Sequence, residues 1–185
     1  MPVGAYSSST ANPVYVVSGR IGVDITKTYT SASGPKNNAL GDVVHCTRGE
    51  RFMFVKAGST IALGDVLFIA VTGSATTIYS QEARPATIAF SSAFRKVAVA
   101  TLPIASGDYG WVLTGGGAAT VNLAASVQPL VPLFFTSTGG QLASTVSSQA
   151  CCLGLVALSS SSSGGASLVQ CALADTLTVG WNGGL

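Results

Sequence analysis

The single histidine, His45, stands beside Cys46, and two further cysteines, Cys151 and Cys152, are also adjacent. An imidazole next to a thiol could begin a nucleophilic site or a zinc site. Neighbouring side chains on a strand point to opposite faces, however, so neither pair can act through both its members. Zinc also asks for spaced ligands such as Cys-x2-Cys, and this chain has no such spacing. A Ser-His-Asp triad would have to use His45, and no Gly-x-Ser-x-Gly elbow presents a nucleophile. The seven acids show no marked pair for glycoside hydrolysis. Gly115-Gly116-Gly117 lacks the Lys-Ser/Thr and the helix of a phosphate loop. The expectation is a protein with no catalytic residue, no metal and no cofactor. The cysteines, including Cys171, read as small buried thiols rather than a disulfide framework.

The elements that would position these residues are strands. Lys96–Gln128 holds the clearest pattern: Val97 and Val99 share a face, Ser106-Gly107-Asp108 supplies a turn, and Tyr109 and Trp111 share a face around Gly110. Gly115–Gly117 then reverses the chain into Ala118–Leu123, so three strands are expected to form a β-meander with Trp111 in its core. Further strands are expected at Val14–Val17, Arg20–Thr26, Val43–Cys46, Arg51–Lys56, Val66–Val71, Leu130–Thr136, Cys151–Leu158 and Ser167–Leu173. Pro132 inside the Leu130–Thr136 run favours an edge or a bulge. Ala39-Leu40-Gly41-Asp42 recurs as Ala62-Leu63-Gly64-Asp65, each time just before an apolar run, which reads as a reused turn into a strand. Ser159–Gly165 reads as a mobile low-complexity loop between two hairpin strands. Thr76–Phe94, interrupted by Pro85, fits no single element. The pattern gives an all-β fold, one β-barrel or β-sandwich domain over 14–185, with an extended N-terminal arm, Met1–Pro13.

Composition narrows the class further. Of 185 residues, 9% are charged and 48% hydrophobic, whereas about 25% charged is ordinary. Such a chain has the apolar mass to fold and few charges to keep neighbours away, which suits a subunit of an assembly. All nine basic residues lie at or before Lys96. Beyond it, only Asp108 and Asp175 are charged. The basic residues are scattered rather than clustered, so nucleic acid is not expected as a partner. No run approaches the ~18 apolar residues of a spanning helix, and Met1–Gly4 lacks the features of a signal peptide, so no membrane role is expected.

The order of features from Gly41 to Ala174 resembles small structural proteins of tailed bacteriophages, in particular head decoration (cement) proteins. The residues that carry the resemblance are Gly41-Asp42-Val43-Val44, Val97–Ala100, Ser106–Val112 and the glycine turn with Ala119–Leu123. Pro132–Phe135, Thr138–Leu142 and Gly154–Val156 continue it. The resemblance implies a virion structural protein on the capsid surface, assembled in the host cytoplasm. Its partners would be the major capsid protein and further copies of itself. A tail, tail-fibre or host-adhesion module is the alternative, and a hydrolase using His45 is the third.

Two expectations concern interfaces. Pro2, Val3 and Tyr6 of the arm, with Trp181 near the other end, are candidate contact residues. The charge-poor stretch after Lys96 needs cover, because uncharged strands pair edge to edge when bare. The main intersubunit contacts are therefore expected there, with the Arg20–Thr30 face more exposed.

Overall fold

One local device, used three times, organises the first sheet. Ala39–Asp42, Ala62–Asp65 and Ala105–Asp108 are β-turns in which the Asp N–H bonds the Ala carbonyl across a glycine of positive φ. In the first two, an Asp carboxylate oxygen also accepts from the N–H of the opening Ala at 2.8 Å. Each turn docks on another segment by the same two bonds. The glycine N–H donates to a carbonyl, that of Phe54, Ala100 or Ala57, and the Asp carbonyl accepts that same residue's N–H. Gly at the third position is required because an L side chain there is strained.

The computed structural model describes residues 5–6, 14–19, 23–33, 38–72, 80–88, 96–145 and 150–181. Within these, the strands are β1 (Ala5–Tyr6), β2 (Val14–Gly19), β3 (Val43–Cys46), β4 (Arg51–Ala57), β5 (Val66–Thr72), β6 (Ser80–Pro85) and β7 (Lys96–Val99). They continue as β8 (Tyr109–Gly115), β9 (Ala118–Leu123), β10 (Leu133–Phe135), β11 (Leu142–Ala143), β12 (Ala150–Ala157) and β13 (Ser167–Trp181). The three Ala-x-Gly-Asp turns open β3, β5 and β8. The fold is all-β, with no α-helix among the described residues.

The strands form two units. In the first sheet the order is β1-β2-β3-β4-β6-β5-β7-β8, and β8 also pairs with β4. That last pairing returns the sheet on itself, so β4, β6, β5, β7 and β8 form a ring. The second unit is a closed barrel, β10-β11-β9-β13-β12. Alternation assigns the cores. Met53, Val55, Ala57, Leu67, Ile69, Ala83, Ala98, Ala100 and Val112 fill the ring's inside. The opposite faces of those strands, including Phe52, Phe54, Phe68, Trp111 and Leu113, join the barrel interior in one larger cluster. Trp111 is buried at its centre, tilted on Phe54 at 5.1 Å between centroids, and Phe54 stacks on half-buried Tyr109.

The two units are stitched where β13 crosses the glycine turn. Gly116 N–H donates to Ala174 O, and Leu173 N–H donates to Gly117 O. A Cβ on Gly115 would collide with the Asp175 carbonyl, and one on Gly116 with the Gly49 carbonyl. Three glycines in a row let three backbones meet.

Several expectations change. The meander does not continue into its third strand: β8 pairs with β7 and β4, while β9 joins β13 and β11 in the barrel. The positive φ of Gly116 and Gly117 turns the chain from one sheet to the other. Of the expected strand Arg20–Thr26, Arg20–Gly22 lies outside the described residues. Val23–Thr26 is not a strand but leads into a turn at Ile25-Thr26, because Asp24 Oδ1 accepts the Thr26 N–H and holds the backbone locally. Leu130–Val131 lies outside β10; Leu130 sits at φ 59° and Pro132 precedes the strand. Ser159–Gly165 is pinned rather than mobile: buried Ser161 accepts the Val127 N–H at 2.7 Å and donates to the Ala124 carbonyl. The hairpin on either side of that loop is present, and β13 runs on to Trp181.

Candidate functional site

The His45 and Cys46 side chains part at β3. Along β3, burial alternates, so His45 is exposed and Cys46 is buried on the opposite face. Cys46 sits near Glu50, a buried carboxyl at the β3–β4 turn. Burial first, and the Glu50 charge second, push the Cys46 thiol up to about 11. Such a thiol stays protonated at neutral pH and is a poor nucleophile. Cys152 and Cys171 lie inside the barrel, and burial pushes both thiols up to about 12. None of the four cysteines is in a disulfide. Among the described residues, no three His, Cys, Asp or Glu side chains lie close enough to hold a metal ion.

His45 has a different neighbourhood. Its strand partner is Arg51, and one step along the same face Val43 pairs with Met53. Arg51 is the end residue of β4 on the face that points into the ring, two positions before Met53. Thr114 stands in the same relation to Val112 on β8, and Lys96 to Ala98 on β7. The ring mouth is therefore capped by Arg51, Thr114 and Lys96. Together with His45, Val43, Met53, Val97 and Leu177, these side chains line a cleft of about 390 Å³.

Arg51 is held in place there. Its Nε donates to Thr114 Oγ1 at 3.3 Å and its Nη2 to the Asp175 carbonyl at 2.7 Å, while Thr114 Oγ1 donates to the Arg51 carbonyl at 2.9 Å. The β13 crossing thus also braces the cleft. Lys96 is exposed on the rim, and its ammonium has no hydrogen-bond or ion-pair partner among the described residues. Among the described residues no carboxylate lines the cleft; Glu50 and Asp175, each adjacent to a lining element, are not part of it. The arrangement offers positive charge over an aliphatic wall, without a nucleophile beside a base.

The second feature is a surface. On the outside of the barrel, β9, β13 and β12 present Thr120, Asn122, Leu168, Gln170, Ala172 and Val156. Leu153 and Leu158 extend it along the β12 side. Leu158 N–H bonds Gln170 O, and the N–H of strongly exposed Leu130 bonds Ala157 O, so the backbones at these residues are neighbours. Leu153, Val156, Leu158 and Leu168 are all exposed, and no Lys, Arg, Asp or Glu occurs on these three strands before Asp175.

Of the interface residues expected from sequence, Tyr6 lies on β1, whose backbone pairs with β2 at Val14, and Trp181 ends β13 opposite Ala150. Pro2 and Val3 lie outside the described residues. The exposed leucines of the barrel were missed, although a strand such as Leu168-Val169-Gln170-Cys171 has apolar residues of both parities. The ring mouth was missed as well, since only the pairing brings Arg51, Thr114 and Lys96 together.

Among known proteins, no family model matches this chain, and no curated protein matches it significantly.

Proposed function

We propose that this chain is a virion structural protein that binds a capsid lattice as a decoration, or cement, subunit. The observation that carries this reading is the outer face of β9, β13 and β12. Up to Asp175 it is a barrel wall without charge, with Leu153, Val156 and Leu168 exposed on it and exposed Leu158 just past the end of β12. A monomer alone in water ordinarily scatters charge over such a wall, and clustered exposed apolar side chains mark interaction sites. A lattice, or sister subunits bound to it, would cover the wall. Each subunit then adds modest contact, and mass action over many copies stabilises the shell.

The resemblance of Gly41–Ala174 to head decoration proteins points the same way. It implies the major capsid protein and further copies of this chain as partners, with the capsid surface as its location. A tail, tail-fibre or adhesion role would use the same scaffold. Co-sedimentation of purified protein with shells that lack it, followed by a low-resolution reconstruction, distinguishes these roles. Added density on the shell surface supports decoration, and density confined to the tail supports the alternative.

A further inference from the structure

We infer that the mouth of the β4-β6-β5-β7-β8 ring is a carboxylate-binding site, and that its occupant is an acidic residue of a partner polypeptide flanked by an aliphatic one. This goes beyond the capsid reading and does not depend on it. Three features of the cleft carry the inference. Arg51, Lys96 and His45 converge on one opening with no carboxylate in its lining among the described residues. The bonds to Thr114 and to the Asp175 carbonyl fix the Arg51 guanidinium before any ligand arrives, so its positive field is preorganised. Lys96 stands at the rim with its donors uncommitted among the described residues.

The walls select the class of anion. Val43, Met53, Val97 and Leu177 make up half of the described lining residues, so the preferred guest carries an apolar group next to its charge. A cleft of about 390 Å³ accommodates a side chain with part of its neighbour rather than a folded element. A Glu or Asp beside Leu, or a chain terminus ending in Leu, meets both requirements. Inorganic phosphate offers charge without the apolar part. A polynucleotide needs a track of cations, whereas among the described residues only Arg51 and Lys96 are basic side chains of this lining. Mouths of β-barrels are common places for such sites. In the bound state the Lys96 ammonium donates to the carboxylate, His45 flanks it, and the Arg51 charge supports it from the floor. Charge-assisted bonds of this kind weaken as salt rises.

The test titrates the isotope-labelled full chain with four probes, read by amide and methyl chemical shifts. The probes are acetyl-Gly-Leu-Glu-Gly-amide, the same peptide with Gln for Glu, acetyl-Gly-Gly-Leu with a free carboxylate, and inorganic phosphate. The expected result is a saturable shift at Arg51, Met53, Lys96 and Thr114 with either carboxylate peptide. The Gln peptide should bind about tenfold more weakly or not at all. The ratio between the Glu and the free-terminus peptides tells which source of carboxylate fits better. Lys96→Gln, at an exposed position whose fold is checked by the unchanged shifts of the barrel, should weaken binding about tenfold. Equal binding of the Glu and Gln peptides overturns the inference, as does unchanged affinity in Lys96→Gln. Tighter binding of phosphate than of both peptides, or no shift with any probe at millimolar concentration, also overturns it.

Discussion

Replacing glycine by alanine at three positions separates two costs that usually come together. Gly107 has φ 85° and nothing within 4 Å of where a Cβ would sit, so Gly107→Ala pays only the left-handed backbone cost. That is about 1–2 kcal/mol. Gly115 has no positive φ, but its Cβ would collide with the Asp175 carbonyl, which is backbone and cannot rotate away. Moving β13 there also disturbs the Arg51 bond to Asp175 O and the Gly116 bond to Ala174 O. Gly115→Ala should therefore cost about 3 kcal/mol, the upper part of the overpacking range. Gly116 combines φ 76° with a collision against the Gly49 carbonyl, so Gly116→Ala should cost about 4–5 kcal/mol. That is a large fraction of the ~5–15 kcal/mol that holds a domain together. Urea unfolding at constant m gives the three values, and melting serves where a variant is too weak for a folded baseline. A Gly116→Ala cost equal to that of Gly107→Ala would refute the close crossing of β13, the glycine turn and the β3–β4 hairpin.

Burial raises the pKa of the Asp65 carboxyl above its ordinary value, against hydrogen bonds from Ala62 and Asn122 that lower it. The folded state therefore holds this proton more tightly than the unfolded one. The Asp65 contribution is full below the ordinary carboxyl pKa and is lost as pH rises through the raised value. Asp65→Asn should gain stability relative to the parent between pH 3 and pH 7 in urea titrations, and a pH-independent difference would contradict this. Ser161→Ala should cost about 1–3 kcal/mol, because it strands the Val127 N–H and the Ala124 carbonyl. Exposed Ser163→Ala should stay within about 0.5 kcal/mol. A thiol reagent at pH 8 should modify half-buried Cys151 in the folded protein and all four cysteines once it is unfolded. Rapid native labelling of Cys46, Cys152 or Cys171 would contradict the raised pKa values given above.

Strands with strict alternation and a glycine turn ahead of them were legible in the sequence. Val43–Cys46, Arg51–Ala57, Val66–Thr72, Tyr109–Gly115 and Ala118–Leu123 all fall close to where the pattern puts them. Their partners were not legible, because pairing depends on contacts far along the chain. Nothing local in Ala118–Leu123 says that it faces Ser167–Ala172 rather than Tyr109–Gly115. The turn at Ser106-Gly107-Asp108 was legible, but Ser106 stands where the other two copies have Leu, which hid its kinship with them. Ser161 looked like one of five equivalent serines, and only its burial against Ala124 and Val127 sets it apart. The ring mouth combines residues from β3, β4, β7, β8 and β13, so its chemistry emerges only with the closure of the ring. The charge-poor second half was legible as composition, and the structure places most of its exposed leucines on or beside one barrel wall.

The capsid reading is tested most directly by hydrogen exchange on the free and the particle-bound protein. The outer wall predicts that protection gained on binding concentrates in Ala118–Leu123, Leu153–Leu158 and Ser167–Ala172, while Asp24–Thr30 exchanges as before. Protection gained mainly before Lys96, with those three segments unchanged, would contradict it.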